Sequence, residues 1–160
     1  MAFSIYISLG SNIHPEENLI RAIGEIRQNF GLVACSSVIE TSAVGSTGPN
    51  FLNAAANFQT SFSTDELKYG FLRNLEASLG RIRTADKNAP RTIDLDISIV
   101  DQTPRDMNIW NRIYLAVPLA ELIPEIIDPE SGKTLASLAT EMQKRAFWKA
   151  RPDVNLNLTF

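Results

Sequence analysis

The sequence predicts an α+β fold with a ferredoxin-like βαββαβ core, an antiparallel sheet carrying helices on one face, followed by C-terminal helices. Three observations carry this expectation. "FSIYISL", "FLNAAANFQTSF" and "RTIDLDISIV" alternate apolar and polar residues with the period of half-buried strands. Two stretches between the strands place apolar residues three and four apart, as amphipathic helices do. No repeat, low-complexity segment or linker interrupts the chain, so its 160 residues read as a single domain, 1–160, large enough for a core without disulfides.

The first strand carries Phe3, Ile5, Ile7 and Leu9 on one face and ends at Gly10-Ser11-Asn12, read as a turn. Pro15 with Glu16 and Glu17 starts a helix whose stripe is Leu19, Ile23, Ile26 and Phe30. "LVACSSVIE" is a second strand, and "TSAVGSTGPN" a long loop. The third strand, 51–62, puts Leu52, Ala54, Ala56 and Phe58 on one face and Asn53 on the other. Ser63 and Glu66 form a capping box that opens a helix through Leu67, Phe71, Leu72, Leu75 and Leu79, with Gly80 as its stop. The fourth strand is 91–100. Pro118 is expected to begin a short helix, and "TLASLATEMQKRAFWKA" a last one with Leu135, Leu138 and Met142 inside. This order leaves the second face of the sheet free to carry a site.

Composition excludes several classes of function. A net charge of −3 argues against general electrostatic binding to nucleic acid or an anionic membrane. No apolar run reaches the ~18 residues of a membrane span, and no signal-peptide pattern opens the chain. The one cysteine, Cys35, sits in an apolar run, which points to a reducing cytoplasm. One His and one Cys rule out a His/Cys zinc cluster, so a protein-held divalent ion must rely on oxygen ligands, which favours Mg²⁺, Ca²⁺ or Mn²⁺. The expected partners are small molecules, with no nucleic acid and no membrane, and the chain reads as a monomer.

The chemistry concentrates between residues 76 and 112. In "RTIDLDISIV", Asp94 and Asp96 leave the same face with Cβ atoms roughly 6.6–7 Å apart. Two like charges on one strand face repel unless a cation neutralises them. Just upstream, Arg81, Arg83, Lys87 and Arg91 outweigh Asp86 by three charges within residues 81–91. Guanidinium forks match phosphate oxygens, while Mg²⁺ typically binds one or two carboxylates plus substrate phosphates. The pairing describes a site for a polyphosphate and its magnesium; the alternative is a structural ion-pair face without metal. Asn53 and Thr41, with Phe51 and Tyr114 as ring surfaces, suit a flat heterocycle that an amide reads at its edge. "SGKT" at 131–134 lacks the first glycine of a P-loop, having Ile127 there, and is read as a helix start. His14 beside Pro15 is read as an exposed neighbour of a helix cap.

"YISLGSN", "NFLNAA", "LEASLGRIR" and above all "APRTIDLDI" resemble the 6-hydroxymethyl-7,8-dihydropterin pyrophosphokinases of folate biosynthesis, in that family's order, with "LAVPLAELIPE" matching a further segment. The resemblance implies transfer of pyrophosphate from ATP to the hydroxymethyl group, with release of AMP, on a ferredoxin-like α/β sandwich. It implies two Mg²⁺ on Asp94 and Asp96, Arg81 and Arg91 in the catalytic centre, Glu76, Arg83 and Arg112 around ATP, and Thr41, Asn53 and Tyr114 around the pterin. The chain departs from the family pattern at three points. Asn88 stands where a tryptophan is usual, and Ala89 follows it in place of glycine. The segment 101–112 is shortened and lacks a Pro-His, Asp106 falling near the place of a histidine expected to touch ATP; Trp110 is a candidate replacement wall. These departures leave open a diverged relative that uses another pterin-like alcohol or binds Mg-ATP and pterin with little catalysis. A non-enzymatic ferredoxin-like interaction module remains the reading from a different class.

Overall fold

A computed structural model describes residues 1–45, 47–86 and 88–157. Lys87 of the basic loop lies outside the described residues. In chain order the elements are β1 (Phe3–Ser11), α1 (Pro15–Phe30), β2 (Ala34–Cys35), β3 (Ile39–Thr41), β4 (Phe51–Thr60), a π-type helical stretch (Glu66–Leu72) continuing as α2 (Arg73–Ser78), β5 (Asp94–Val100), β6 (Thr103–Pro104), a 3₁₀ turn (Met107–Trp110), α3 (Ile113–Leu122), α4 (Leu135–Arg145) and β7 (Lys149–Ala150). The strands form one antiparallel sheet in the order β6-β5-β1-β4-β3-β7, with β2 also paired to β4. Taking β2 and β3 as one broken strand, the core order is that of the expected βαββαβ fold. No helix among the described residues is long and apolar enough to cross a membrane.

The period-two pattern decides what each face buries. Ile5, Ile7 and Leu9 of β1, Leu52, Ala54, Ala56 and Phe58 of β4, and Leu95 of β5 pack with Leu19, Ile23 and Ile26 of α1 and with Leu67, Leu72 and Leu75. Phe30 stacks on Phe58 with ring centroids 4.6 Å apart, closing this core at one end. Removing this apolar surface from water, at about 25 cal/mol per Å², is what holds α1 and α2 to the sheet. The capping box forms as expected: Ser63 N–H donates to Glu66 Oε1 (3.0 Å) and Glu66 N–H to Ser63 Oγ (3.1 Å). Gly80, at φ +92°, ends the helix in a conformation that favours glycine.

The second face is covered only in part. Tyr6, Ile39, Ala55 and Ile99 pack against α3 and α4. Ser8, Gly10, Asn53, Asp94 and Asp96, further along the same strands, instead line a cavity.

Several expected boundaries are corrected. β1 runs through Gly10 to Ser11, because Gly10 pairs with both Asn53 and Asp94; it is not yet a turn there. The second strand breaks in two, since Cys35 faces Ala56 while Ile39 faces Asn53, leaving one extra residue in β2–β3. Ser36 bridges the break, its N–H donating to the Ala55 carbonyl (2.9 Å) and its Oγ accepting the Ala55 N–H (2.8 Å). Tyr6 pairs with Ile99 but Ile7 with Ile97, so a bulge at Ser98 turns Ile99 to the face opposite Ile93 and Leu95. Pro118 lies inside α3 rather than at its start; proline has no N–H for the Tyr114 carbonyl, and burial of the surrounding apolar turn outweighs that loss. The last helix stops at Arg145, capped by Trp148 Nε1–H donating to the Gln143 carbonyl (3.2 Å), and 149–150 becomes a strand. Its start at the Thr134 cap is as expected, with Ser137 N–H donating to Thr134 Oγ1 (3.1 Å).

Candidate active site

The cavity on the open half of the second face measures about 310 Å³. Its floor is sheet: Ser8 and Gly10 from β1, Asn53 from β4, Asp94 and Asp96 from β5. A Cβ at Gly10 would stand 3.2 Å from Asn53 Oδ1, so a larger residue there would have to displace the Asn53 amide by a few tenths of an ångström. Thr41, Ser42, Val44 and Phe51 form one wall, Asn88 and Arg91 a second, and Asp106, Tyr114 and Leu115 a third.

The two aspartates have different surroundings. Asp94 Oδ2 accepts from Arg91 Nη1 at 3.0 Å, and its Oδ1 lies 4.0 Å from Arg81 Nη2. The Asp96 side chain makes no hydrogen bond or ion pair among the described residues, although it stays open to the cleft. A structural ion-pair face therefore accounts for Asp94 but not for Asp96. The Asp96 pKa is pushed up to about 7 by desolvation on the cleft floor, then by the like charges of Asp94, Glu76 and Asp106. A divalent cation would remove that repulsion, and the all-oxygen donor set suits Mg²⁺. No group of three or more His, Cys, Asp and Glu side chains that could hold a metal converges among the described residues.

Arg91 is held at its backbone: its N–H donates to Asn12 Oδ1 (2.6 Å), Asn12 N–H donates to the Arg91 carbonyl (3.0 Å), and Ser11 Oγ donates to the Thr92 carbonyl (2.6 Å). These bonds tie the basic loop to the end of β1 and aim the chain into β5. The Arg81 side chain is nine-tenths buried, yet its Nε and Nη1 have no hydrogen-bond partner among the described residues. A guanidinium in that condition is costly unless an acceptor completes it.

Glu76 is buried and fully engaged. Its Oε2 accepts the Leu95 N–H at 2.8 Å and its Oε1 accepts from Arg83 Nη2 at 2.7 Å. Desolvation pushes its pKa up, opposed by the Leu95 hydrogen bond. Glu76 thus connects α2, β5 and the basic loop rather than lining the cavity. Asn53 Nδ2 donates to Thr41 Oγ1 (2.8 Å), bringing those two expected partners together across β3 and β4. Burial raises the Tyr114 phenol, with Arg112 opposing and Asp106 adding to the rise.

Thr41, Asn53, Arg91, Asp94, Asp96 and Tyr114 therefore meet around one cavity, whereas Glu76, Arg81, Arg83 and Arg112 are not among its lining residues. Arg112 is exposed just before α3. Trp110 is not a cavity wall; it is buried in the core with α3 and α4. His14 is exposed, as expected, and occupies a left-handed conformation at the cap of α1. Sequence reasoning missed Ser8, Leu9, Gly10, Ser42, Val44 and Leu115. Of the missed signals, only glycine at position 10 inside an alternating strand was legible as a close approach. Asp106 reaches the cavity because the Ser98 bulge turns its carbonyl to accept the Arg105 (2.8 Å) and Asp106 (3.3 Å) N–H groups.

The sequence profile of the family described as 7,8-dihydro-6-hydroxymethylpterin-pyrophosphokinase matches residues 6–124. The chain belongs to this family. Relatives named 2-amino-4-hydroxy-6-hydroxymethyldihydropteridine pyrophosphokinase include one from Synechocystis, 33% identical over 161 residues that cover 94% of this chain and 82% of the relative. One from Bacillus subtilis is 30% identical, covering 94% of this chain and 93% of its own length. One from Haemophilus influenzae is 32% identical, covering 88% and 91%. The family match spans the whole cavity, from β1 to α3, and α4 and β7 lie beyond it.

Proposed function

We propose that the chain transfers pyrophosphate from ATP to the hydroxymethyl group of 6-hydroxymethyl-7,8-dihydropterin, releasing AMP, with two Mg²⁺ held by Asp94 and Asp96. The observation that carries this reading is the carboxylate pair on the cavity floor, one member ion-paired to arginine and the other left without a partner among the described residues. Chemically, the alcohol oxygen bonds to the β-phosphorus and gives up its proton to solvent, while the bond from that phosphorus to the α,β-bridging oxygen breaks and AMP leaves with that oxygen. Such a reaction needs positioning and charge stabilisation more than covalent help from the protein. Magnesium, when bound, supplies positive charge to the phosphate oxygens.

The chain's own residues divide the remaining work. Asn53 and Thr41 read the pterin edge, while Phe51 and Tyr114 offer ring surface. Arg91 and Arg81 take phosphate oxygens; for Arg81 these complete a buried group that otherwise lacks acceptors. Arg83, held by Glu76, and Arg112 lie around the nucleotide. Sheet residues on the floor keep the reacting oxygen and phosphorus in fixed relation.

A second reading is favoured by Asn88, whose amide lines the cavity where the family usually carries a tryptophan. It makes the chain a diverged relative acting on another pterin-like alcohol. The deciding experiment mixes the protein with ATP, Mg²⁺ and 6-hydroxymethyl-7,8-dihydropterin and separates the nucleotides. AMP formed in step with a pyrophosphorylated pterin supports the first reading. ADP refutes the mechanism. Tight Mg-ATP binding without AMP supports the second reading. Asp94→Asn and Asp96→Asn each remove most turnover while keeping the fold; unchanged activity in both rules out their metal role.

A further inference from the structure

Arg151 follows β7, far in sequence from every residue that lines the cavity. Its side chain is about four-fifths buried, and its guanidinium engages three carboxylates. Nη1 donates to Glu40 Oε1 (2.8 Å), Nη2 to Glu16 Oε1 (3.0 Å), and Nε and Nη2 to the two oxygens of Asp153 (2.9 and 2.8 Å). Its backbone N–H donates to the Val38 carbonyl (3.0 Å). The contacts with Glu16 and Asp153 fasten the C-terminal segment to the start of α1. The contact with Glu40 reaches elsewhere.

Glu40 uses its other oxygen, Oε2, to accept from Asn50 Nδ2 at 3.0 Å. The Asn50 hydrogen bond holds the Glu40 carboxyl below its usual range, with Arg151 adding to the effect against desolvation. Glu40 immediately precedes Thr41, and Asn50 immediately precedes Phe51; Thr41 and Phe51 face each other as the last pair of the β3–β4 ladder. One carboxylate therefore ties both ends of the 42–50 loop. That loop supplies Ser42 and Val44 to the cavity, and its two flanks supply Thr41 and Phe51.

We infer that Arg151 is a positioning residue for the pterin half of the site, holding both ends of the 42–50 loop through Glu40 and Asn50 before substrate arrives. The inference rests on the proposed reading of the cavity as a pterin site. A fork that satisfies Glu40 while bonding two further carboxylates restricts this corner more than a lysine could. Its function is to keep Thr41 and Phe51 at a fixed separation, so that a ligand does not have to order the loop itself.

The test is steady-state kinetics with each substrate varied in turn, on the full chain. If loosening lowers the competent fraction of the loop to between a fifth and a tenth, Arg151→Met raises KM for the pterin about five- to tenfold and leaves KM for ATP within about twofold. Arg151→Lys gives an intermediate rise. Asn50→Ala leaves the C-terminal fastening intact and raises the same KM, and the Arg151→Met/Asn50→Ala double variant is no worse than Arg151→Met alone. Asp153→Asn, which touches only the fastening, leaves both KM values within about twofold. A folded Arg151→Met protein with an unchanged pterin KM, or with both KM values raised alike, overturns the inference. Should Arg151→Met fail to fold, an unchanged pterin KM in Asn50→Ala overturns it just as well. A wild-type protein that neither binds the pterin nor releases AMP overturns the reading of the site, and the inference with it.

Discussion

Replacing Asp96 by asparagine should stabilise the metal-free protein while removing its turnover. In the folded chain the Asp96 carboxyl is pushed up to about 7 from an ordinary 3.8 by desolvation and by Asp94, Glu76 and Asp106. A raised folded-state pKa contributes stability that is fully present below the ordinary value and is lost as pH rises towards about 7. Above that range the wild type carries an ionised group that folding disfavours, and asparagine relieves it. Unscreened, the rise would correspond to about 4 kcal/mol. Asp96 keeps more than a third of its surface open to the cleft, so water screens most of that, and about 1 kcal/mol is the appropriate figure. For a chain of 160 residues this is a gain of about 2–4 °C in Tm. The assay is thermal unfolding in EDTA at about pH 8 and again near pH 4, where most of the difference should be gone because the folded Asp96 is then neutral and the unfolded one only partly ionised. Adding Mg²⁺ with ATP should raise Tm for the wild type and much less for the variant. An Asp96→Asn protein no more stable than wild type at the higher pH would refute the argument that desolvation and neighbouring carboxylates burden this residue.

Three further outcomes follow from the same geometry. Glu76→Ala leaves the buried Leu95 N–H without its acceptor and should cost about 2–4 kcal/mol in urea titration, whereas Glu76→Gln keeps an acceptor and should cost less than about 1 kcal/mol; equal losses would mean the hydrogen bond is unimportant. The Cys35 thiol is pushed up to about 11 by burial against the opposing charge of Arg27, so an aromatic disulfide reagent at about pH 8 should label it slowly until urea opens the core. Thr134→Ala removes the cap of α4 and should cost about 1 kcal/mol, with Thr134→Ser nearly neutral, as read by chemical denaturation.

What was legible in the sequence was what local periodicity controls. Alternation placed Ile5, Ile7 and Leu9 inward and put Asp94 beside Asp96 on one face, because successive Cβ atoms on a strand point to opposite sides whatever lies next to them. The Ser63–Glu66 capping box and the Thr134 cap were legible for the same reason, their partners being three residues away. Four other features depend on partners far along the chain. The Ser98 bulge exists only through the pairing of β5 with β1; it reverses Ile99 and delivers Asp106 to the cavity. Trp110 enters the core rather than the site because α3 and α4 close over it. Glu76 acts as an acceptor for β5 because α2 packs beside that strand, and Arg151 gathers Glu16, Glu40 and Asp153 from three separate elements. The sequence by itself determined the three long strands, the Ser63 and Thr134 helix starts and the charges on each face, which follow from backbone geometry and near neighbours. Register, bulges and the closure of buried polar groups were decided only by the tertiary structure, since a donor and its acceptor up to 135 residues apart meet only when the sheet and helices are assembled.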